Sequence, residues 1–122
     1  IHTLLILTLY GSVDHMADQT LGGFEHQVLL ALVRLGGETY SVPIVEELER
    51  LLGRAPAPAA VYVTLRRLER RGLLTSVMQA PEEGVGGRER RVFRAEPEVA
   101  ELLRSVRHEL SVLWDGVEAL EP

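Results

Sequence analysis

Residues 58–72 read PAAVYVTLRRLERRG. A proline at the first position and a glycine at the last predict a helix from Pro58 to Arg71, stopped by Gly72. At about 100° per residue, Val61, Leu65, Leu68 and Gly72 fall within one narrow sector. The opposite side carries Ala59, Val63, Arg66, Arg67 and Arg70, and Glu69 is the only acid in the segment. One edge is built to be buried, and the other to meet something negatively charged.

Working outward toward the N-terminus, the connector Arg54–Pro58 contains two prolines and reads as a stiff turn. Before it, a second helix is expected over about 42–52. Ser41 is placed as its N-cap, Pro43 in its first turn, and Tyr40 stapled onto Val45. Ile44, Val45, Leu48, Leu51 and Leu52 are expected to face inward, with Glu46, Glu47 and Glu49 toward water and Gly53 as the stop. A first helix over about 22–35 shows the stripe Phe24, Val28, Leu29, Leu32 and Leu35, and Gly36-Gly37 ends it. Residues 1–20 read as an extension outside the domain, with Met16 as the expected start. Ile1–Tyr10 is apolar, but about ten residues fall short of the roughly 20 that span a bilayer, and no basic leader or cleavage site accompanies them.

Toward the C-terminus, Leu73–Met78 and Arg88–Ala95 flank the glycine-rich loop Gln79–Gly87, with Val92 and Phe93 as strand formers, so a β-hairpin is expected. A last helix is expected over about 97–120. Val99, Leu102, Leu103, Val106, Leu110, Leu113, Trp114, Val117 and Leu120 follow 3–4 spacing through it. Six such turns measure about 36 Å, longer than a three-helix domain covers, so the far half calls for a partner. A second copy of the chain is the simplest one.

The net charge is −5, yet from Arg54 to Arg94 nine arginines meet four acids, a local balance of +5. A basic zone of this kind is the footprint expected for nucleic acid, against the blander alternative of a solvated face. All 13 basic residues are arginine, whose planar fork suits phosphates and guanine edges. There is no cysteine, so disulfides, thiolate metal sites and cysteine nucleophiles are excluded. His2, His15, His26 and His108 have no paired metal-ligand spacing, and the serines lie in no nucleophile motif. Gly84-Val85-Gly86-Gly87 precedes a strand rather than a helix, so it does not cradle phosphates. An enzyme, a cofactor and a metal site are therefore not expected.

Three helices with the third arginine-rich, then a hairpin, is the order of a winged helix-turn-helix. The stretches LGGFEHQVLLALVRLGGETYSVPIVEEL, AAVYVTLRRLERRGLL and GGRERRVFRAEP, in that order and spacing over about Leu21–Leu120, resemble the PadR-like transcriptional regulators. The resemblance implies a DNA-binding domain, a C-terminal helix that forms a homodimer, dyad operators, repression, and in some members a small aromatic or drug-like effector. It places Tyr62 at the tyrosine position of the recognition helix, and Gly86-Gly87-Arg88 with Arg91 in the wing motif. Three positions depart from it: Ala57 where serine is frequent, Val92 where tyrosine is frequent in the wing, and Glu96 where threonine usually caps the last helix.

The reading is a mainly α fold with a small β-hairpin. A winged helix-turn-helix DNA-binding domain over 21–95 precedes a dimerisation helix over 96–122. The function expected is a cytoplasmic transcriptional regulator, a repressor that binds double-stranded DNA as a homodimer and has no membrane partner. Tyr62, Val63, Arg66, Arg67, Arg70, Arg88, Arg90 and Arg91 are the expected DNA contacts. Val106, Leu110, Leu113, Trp114 and Val117 are the expected dimer interface, where Trp114 packs or forms an aromatic wall for an effector. The alternative is a protein-interaction module on the same fold with DNA binding lost.

Overall fold

In a computed structural model, residues 20–81 and 87–117 are described. Their order is α1 (Gly23–Arg34), β1 (Glu38–Thr39), α2 (Ser41–Leu52), α3 (Pro58–Arg70), β2 (Leu74–Gln79), β3 (Arg90–Ala95) and α4 (Glu98–Trp114). The expected mainly α architecture with a hairpin is present. The extension over 1–19 and the wing tip over 82–86 lie outside the described residues, as does Leu120.

The apolar stripes meet as their periodicity requires. Val28, Leu29 and Leu32 of α1, Ile44 and Leu48 of α2, and Val61, Leu65 and Leu68 of α3 form one core with Leu73, Leu74 and Phe93. Val99 and Leu103 extend that core into the first turns of α4. Pro58 sits at the start of α3, where its missing N–H leaves no hydrogen bond unmade. No helix among the described residues is long and apolar enough to cross a membrane.

The sheet differs from the expected hairpin by one strand. β3 is central, pairing antiparallel with β2 from Leu74↔Ala95 to Gln79↔Arg90 and with β1 at Glu38↔Arg94 and Thr39↔Phe93. A two-residue strand carries no readable alternation. What forms it is the turn at Gly36 and Gly37, whose φ values of 98° and 84° only glycine adopts freely. That turn lays Glu38 beside the wing, and Ala95 N donates to Gly37 O at 2.9 Å.

Three helix-level expectations are corrected. Ser41 is the first residue of α2 rather than its cap; the capping position is Tyr40, and no side-chain hydrogen bond closes that end. Leu51 and Leu52, expected inward, are 44% and 46% exposed. The last turn of α2 reaches a surface groove of about 310 Å³, bordered by Phe24, Gln27, Pro56, Ala57 and Ala60, so Leu52 is only partly covered. The last helix ends at Trp114 instead of near residue 120. Asp115 turns extended at φ −61°, ψ 128°, and Gly116 takes a left-handed φ of 88°. Its 17 residues measure about 25 Å rather than 36 Å.

An ion pair ties the beginning of the domain to the end of α3. Arg71 Nη1 donates to both Glu25 oxygens at 3.1 Å, and Nη2 donates to Thr20 O at 2.5 Å. Glu25 also accepts from Gly22 N at 2.9 Å, which closes the N-terminus of α1.

The burial pattern separates two leucines of α2. Leu48→Ala, at a buried position, is expected to cost about 3 kcal/mol in denaturant unfolding, within the range for emptied core sites. Leu51→Ala is expected to cost less than about 1 kcal/mol, since roughly half its surface is already in water. Equal losses at the two positions would contradict the placement of the α2 terminus.

Candidate nucleic-acid interface

The outward edge of α3 begins with small and apolar side chains and becomes cationic along its length. Ala59, Val63, Arg67 and Arg70 are exposed, Val63 by 50%. Arg67 and Arg70 form no ion pair among the described residues, so their guanidinium groups are available to a ligand. Going round the helix at about 100° per residue, Tyr62 and Glu69 lie to one side, Arg66 comes next, then Arg70 and Val63, with Arg67 on the far side. The Tyr62 ring meets Phe93 edge-on at 6.1 Å and 76°, so that side is the one turned toward the sheet.

Arg66 differs from its two neighbours. Its Nη1 donates to Glu69 Oε1 at 3.1 Å, and its side chain is only 38% exposed. The other Glu69 oxygen accepts from the Ser76 hydroxyl at 2.5 Å, and Ser76 Oγ accepts from Arg91 Nη1 at 3.0 Å. Arg91, expected on the DNA side of the wing, is thus half-buried and turned back toward α3. Its Nε is buried without a hydrogen-bond partner among the described residues, an arrangement that costs about 1–3 kcal/mol for a donor removed from water.

The remaining wing cations are oriented differently. The Arg90 guanidinium carbon lies 4.1 Å from the centroid of the Tyr40 ring, a cation–π contact that leaves the fork's edges free to donate. Arg88 is exposed at the start of the returning segment. Arg94 is paired with Glu38 at 3.3 Å. Between the wing and the helices opens a cleft of about 720 Å³, whose lining includes Tyr40, Tyr62, Arg88, Arg90 and Arg91 together with one acid, Glu89.

The structure therefore brings Tyr62, Arg88, Arg90 and Arg91 to one cleft and sets Val63, Arg67 and Arg70 on the adjoining helix edge, with Arg66 between them. The basic stretch is not uniformly available, because Arg71 and Arg94 are engaged with Glu25 and Glu38. Sequence reasoning missed three participants. Tyr40 was assigned to a helix staple, although an aromatic facing a run of arginines is an equally direct signal. Glu69 stood out as the lone acid of its helix, but its partner Ser76 comes from a strand whose register no local pattern gives.

A second exposed surface lies on α4. After Leu103 no residue of this helix is buried. Leu110, Val112, Leu113 and Trp114 are exposed by 45%, 58%, 70% and 64%. Val106 is half-buried on the same stripe, and Val117 is half-buried beyond the helix end.

Comparison with known proteins agrees with this geometry. The family described as "Transcriptional regulator PadR-like family" matches residues 29–98. A PadR family transcriptional regulator from Eggerthella lenta is similar over 98% of this chain and 96% of its own, at 25% identity and a TM-score of 0.62. A PadR-like transcription factor from Bacteroides fragilis shares the fold over 77% of this chain and 87% of its own, at 16% identity and a TM-score of 0.61. Bacillus subtilis PadR, in a structure with operator DNA, shares it over 70% of this chain and 46% of its own, at 16% identity and a TM-score of 0.58. No curated protein matches the chain.

Proposed function

The chain belongs to the PadR-like family of transcriptional regulators, and from that premise we propose that it is a sequence-specific DNA-binding repressor acting as a homodimer on a pseudo-palindromic operator. A family of regulators, not of enzymes, is also what the sequence led us to expect. The observation that carries the proposal is the outer edge of α3, free of acids from Pro58 to Leu68 and bearing two guanidinium groups, of Arg67 and Arg70, that form no ion pair among the described residues, beside a cation-lined wing. An α-helix fits the major groove, and cations beside it engage the phosphates. The operator DNA held by Bacillus subtilis PadR supports the same reading.

The roles divide by chemistry. Val63 and Ala59 have no donors, so they read shape and the thymine methyl group. Arg67 and Arg70 reach a guanine edge or a phosphate, and Arg66 does so while leaning toward the wing. Arg88 and Arg90 hold backbone, which positions the protein without carrying base information. Residues 21–95 form the reading unit in this proposal. Residues 96–122 form the dimerising one, in which the exposed Leu110, Leu113 and Trp114 of one protomer pack on those of its partner. Two reading helices then face one side of the duplex about one turn apart.

Gel retardation of the DNA upstream of the chain's own gene tests the proposal. With roughly six phosphates neutralised, log K should fall against log salt with a slope of about −5. Arg67→Ala and Arg70→Ala should each flatten that slope by about one unit, whereas Arg94→Ala, which breaks an internal pair, should leave it within error. Val63→Ser should weaken the preferred site by roughly 1 kcal/mol and barely change random DNA. A slope near zero, or no retarded species at low salt, would instead point to an interaction module without DNA binding.

The dimer has its own test. Leu113→Glu introduces an unpaired carboxylate into the proposed dry interface, a change expected to cost several kcal/mol. Sedimentation should then show monomers, with loss of operator binding in parallel. A variant that sediments as wild type would place self-association elsewhere.

A further inference from the structure

We propose that Glu69 is a positioning residue for DNA reading: its carboxylate, through Ser76 and Arg91, locks the wing to the third helix, so that the wing cations Arg88 and Arg90 are held at a set position relative to Arg66, Arg67 and Arg70. The proposal rests on the DNA-reading function above and deepens it.

Glu69 divides its two oxygens between two elements. Oε1 accepts Arg66 Nη1 at 3.1 Å within α3, and Oε2 accepts the Ser76 hydroxyl at 2.5 Å from β2. A hydroxyl has one proton to give and lone pairs to receive. Having donated to Glu69, Ser76 receives Arg91 Nη1 from β3 at 3.0 Å. The relay therefore has one direction, from Arg91 through Ser76 to the carboxylate. It joins three elements inside a partly buried region where such bonds reinforce one another. With the carboxylate neutralised, the Ser76 proton loses its charged acceptor and the Arg91 guanidinium loses its counter-charge.

A second contact bridges the same gap. Tyr62 and Glu69 are seven residues apart, two turns along one side of the helix, and Tyr62 meets Phe93 edge-on. The root of the hairpin is already fixed by Leu74 and Phe93 in the core and by the pairing of β3 with β1. The ring contact alone adds one further point of attachment to α3. Two contacts, about 10 Å apart along the helix, fix the hairpin's angle. The cations on either side of Glu69 then keep a set separation, which is what a fixed spacing of phosphates and base edges requires.

Bare electrostatics and the lock make opposite forecasts. As a charge alone, Glu69 repels phosphate, and its removal tightens every duplex alike. As a lock, its removal loosens the geometry and helps only DNA that demands none. The test uses full-length Glu69→Gln, Ser76→Ala and Ser76→Thr variants. Their probes are a 20-base-pair duplex enriched by the wild-type protein from a random pool, and a scrambled duplex of the same composition. Hydrogen exchange of the DNA-free protein is measured alongside.

Glu69→Gln should bind the scrambled duplex about twofold to fivefold more tightly and the enriched duplex more weakly, narrowing their ratio about tenfold. Ser76→Ala alters no charge and should narrow the ratio by a similar factor, and Ser76→Thr should restore it. In Glu69→Gln and Ser76→Ala, the β2 and β3 amides should exchange about tenfold faster while those of α1 keep their protection. Equal tightening on both duplexes with unchanged wing exchange overturns the proposal. If the wild-type protein enriches no duplex, the DNA-reading function fails instead, and wing exchange alone decides the lock. Faster exchange in both variants upholds it, and unchanged exchange overturns it.

Discussion

The third helix has to bury Val61, Leu65 and Leu68 completely while keeping the adjoining edge clear of the rest of the chain. A helix offers only about 360° of surface, and these three residues commit one sector of it to the core. The elements around it follow from that division. α1 and α2 cover the apolar sector from one side, Phe93 closes it from the sheet, and the wing comes to rest beside Tyr62. Rotating α3 by one residue would expose the leucines and bury arginine, a change costing far more than the stability of a small domain.

A chain of net charge −5 can still present a basic face because its charges are segregated and then selectively paired. Arg71 is paired with the half-buried Glu25, and Arg94 with Glu38 at the surface. Arg67, Arg70 and Arg88 remain on the outside, with Arg90 backed by Tyr40. Much of the surplus acid lies in the terminal segments of the sequence. At physiological salt the Debye length is about 8 Å, so a charge weakens the field at the exposed edge only from within about that distance. The average charge of a small protein is in this respect a poor guide to any one surface.

Most of the helical framework could be read from sequence because local signals and packing agree. Pro58 and Gly72 bracket α3, Gly53 stops α2, and the leucine stripe of α1 is unambiguous. Two failures share a cause: a strong apolar pattern was followed beyond its structural limit. Leu51 and Leu52 continue the stripe of α2 but arrive where the chain is turning toward Pro56. Val117 and Leu120 continue the stripe of α4, yet Gly116 interrupts it with a left-handed backbone. The two-residue β1 was hidden for a different reason, since its pairing with β3 is a tertiary contact 56 positions away at Glu38–Arg94. The Arg66–Glu69–Ser76–Arg91 relay was equally invisible, because it exists only once strand register is set.

The root of α4 is held on two sides, by Ala95 N to Gly37 O and by Glu96 N to Leu73 O, both at 2.9 Å. Immediately beyond them Val99 and Leu103 are sunk in the core, while among the described residues nothing later in this helix is buried. Mechanically this is a cantilever, clamped at its root. A tilt of about 10° at the clamp carries the tip of a helix of this length by roughly 4 Å, about one strand spacing. Any substitution that loosens Gly37 or Leu73 is therefore magnified at Trp114, far from where it was made.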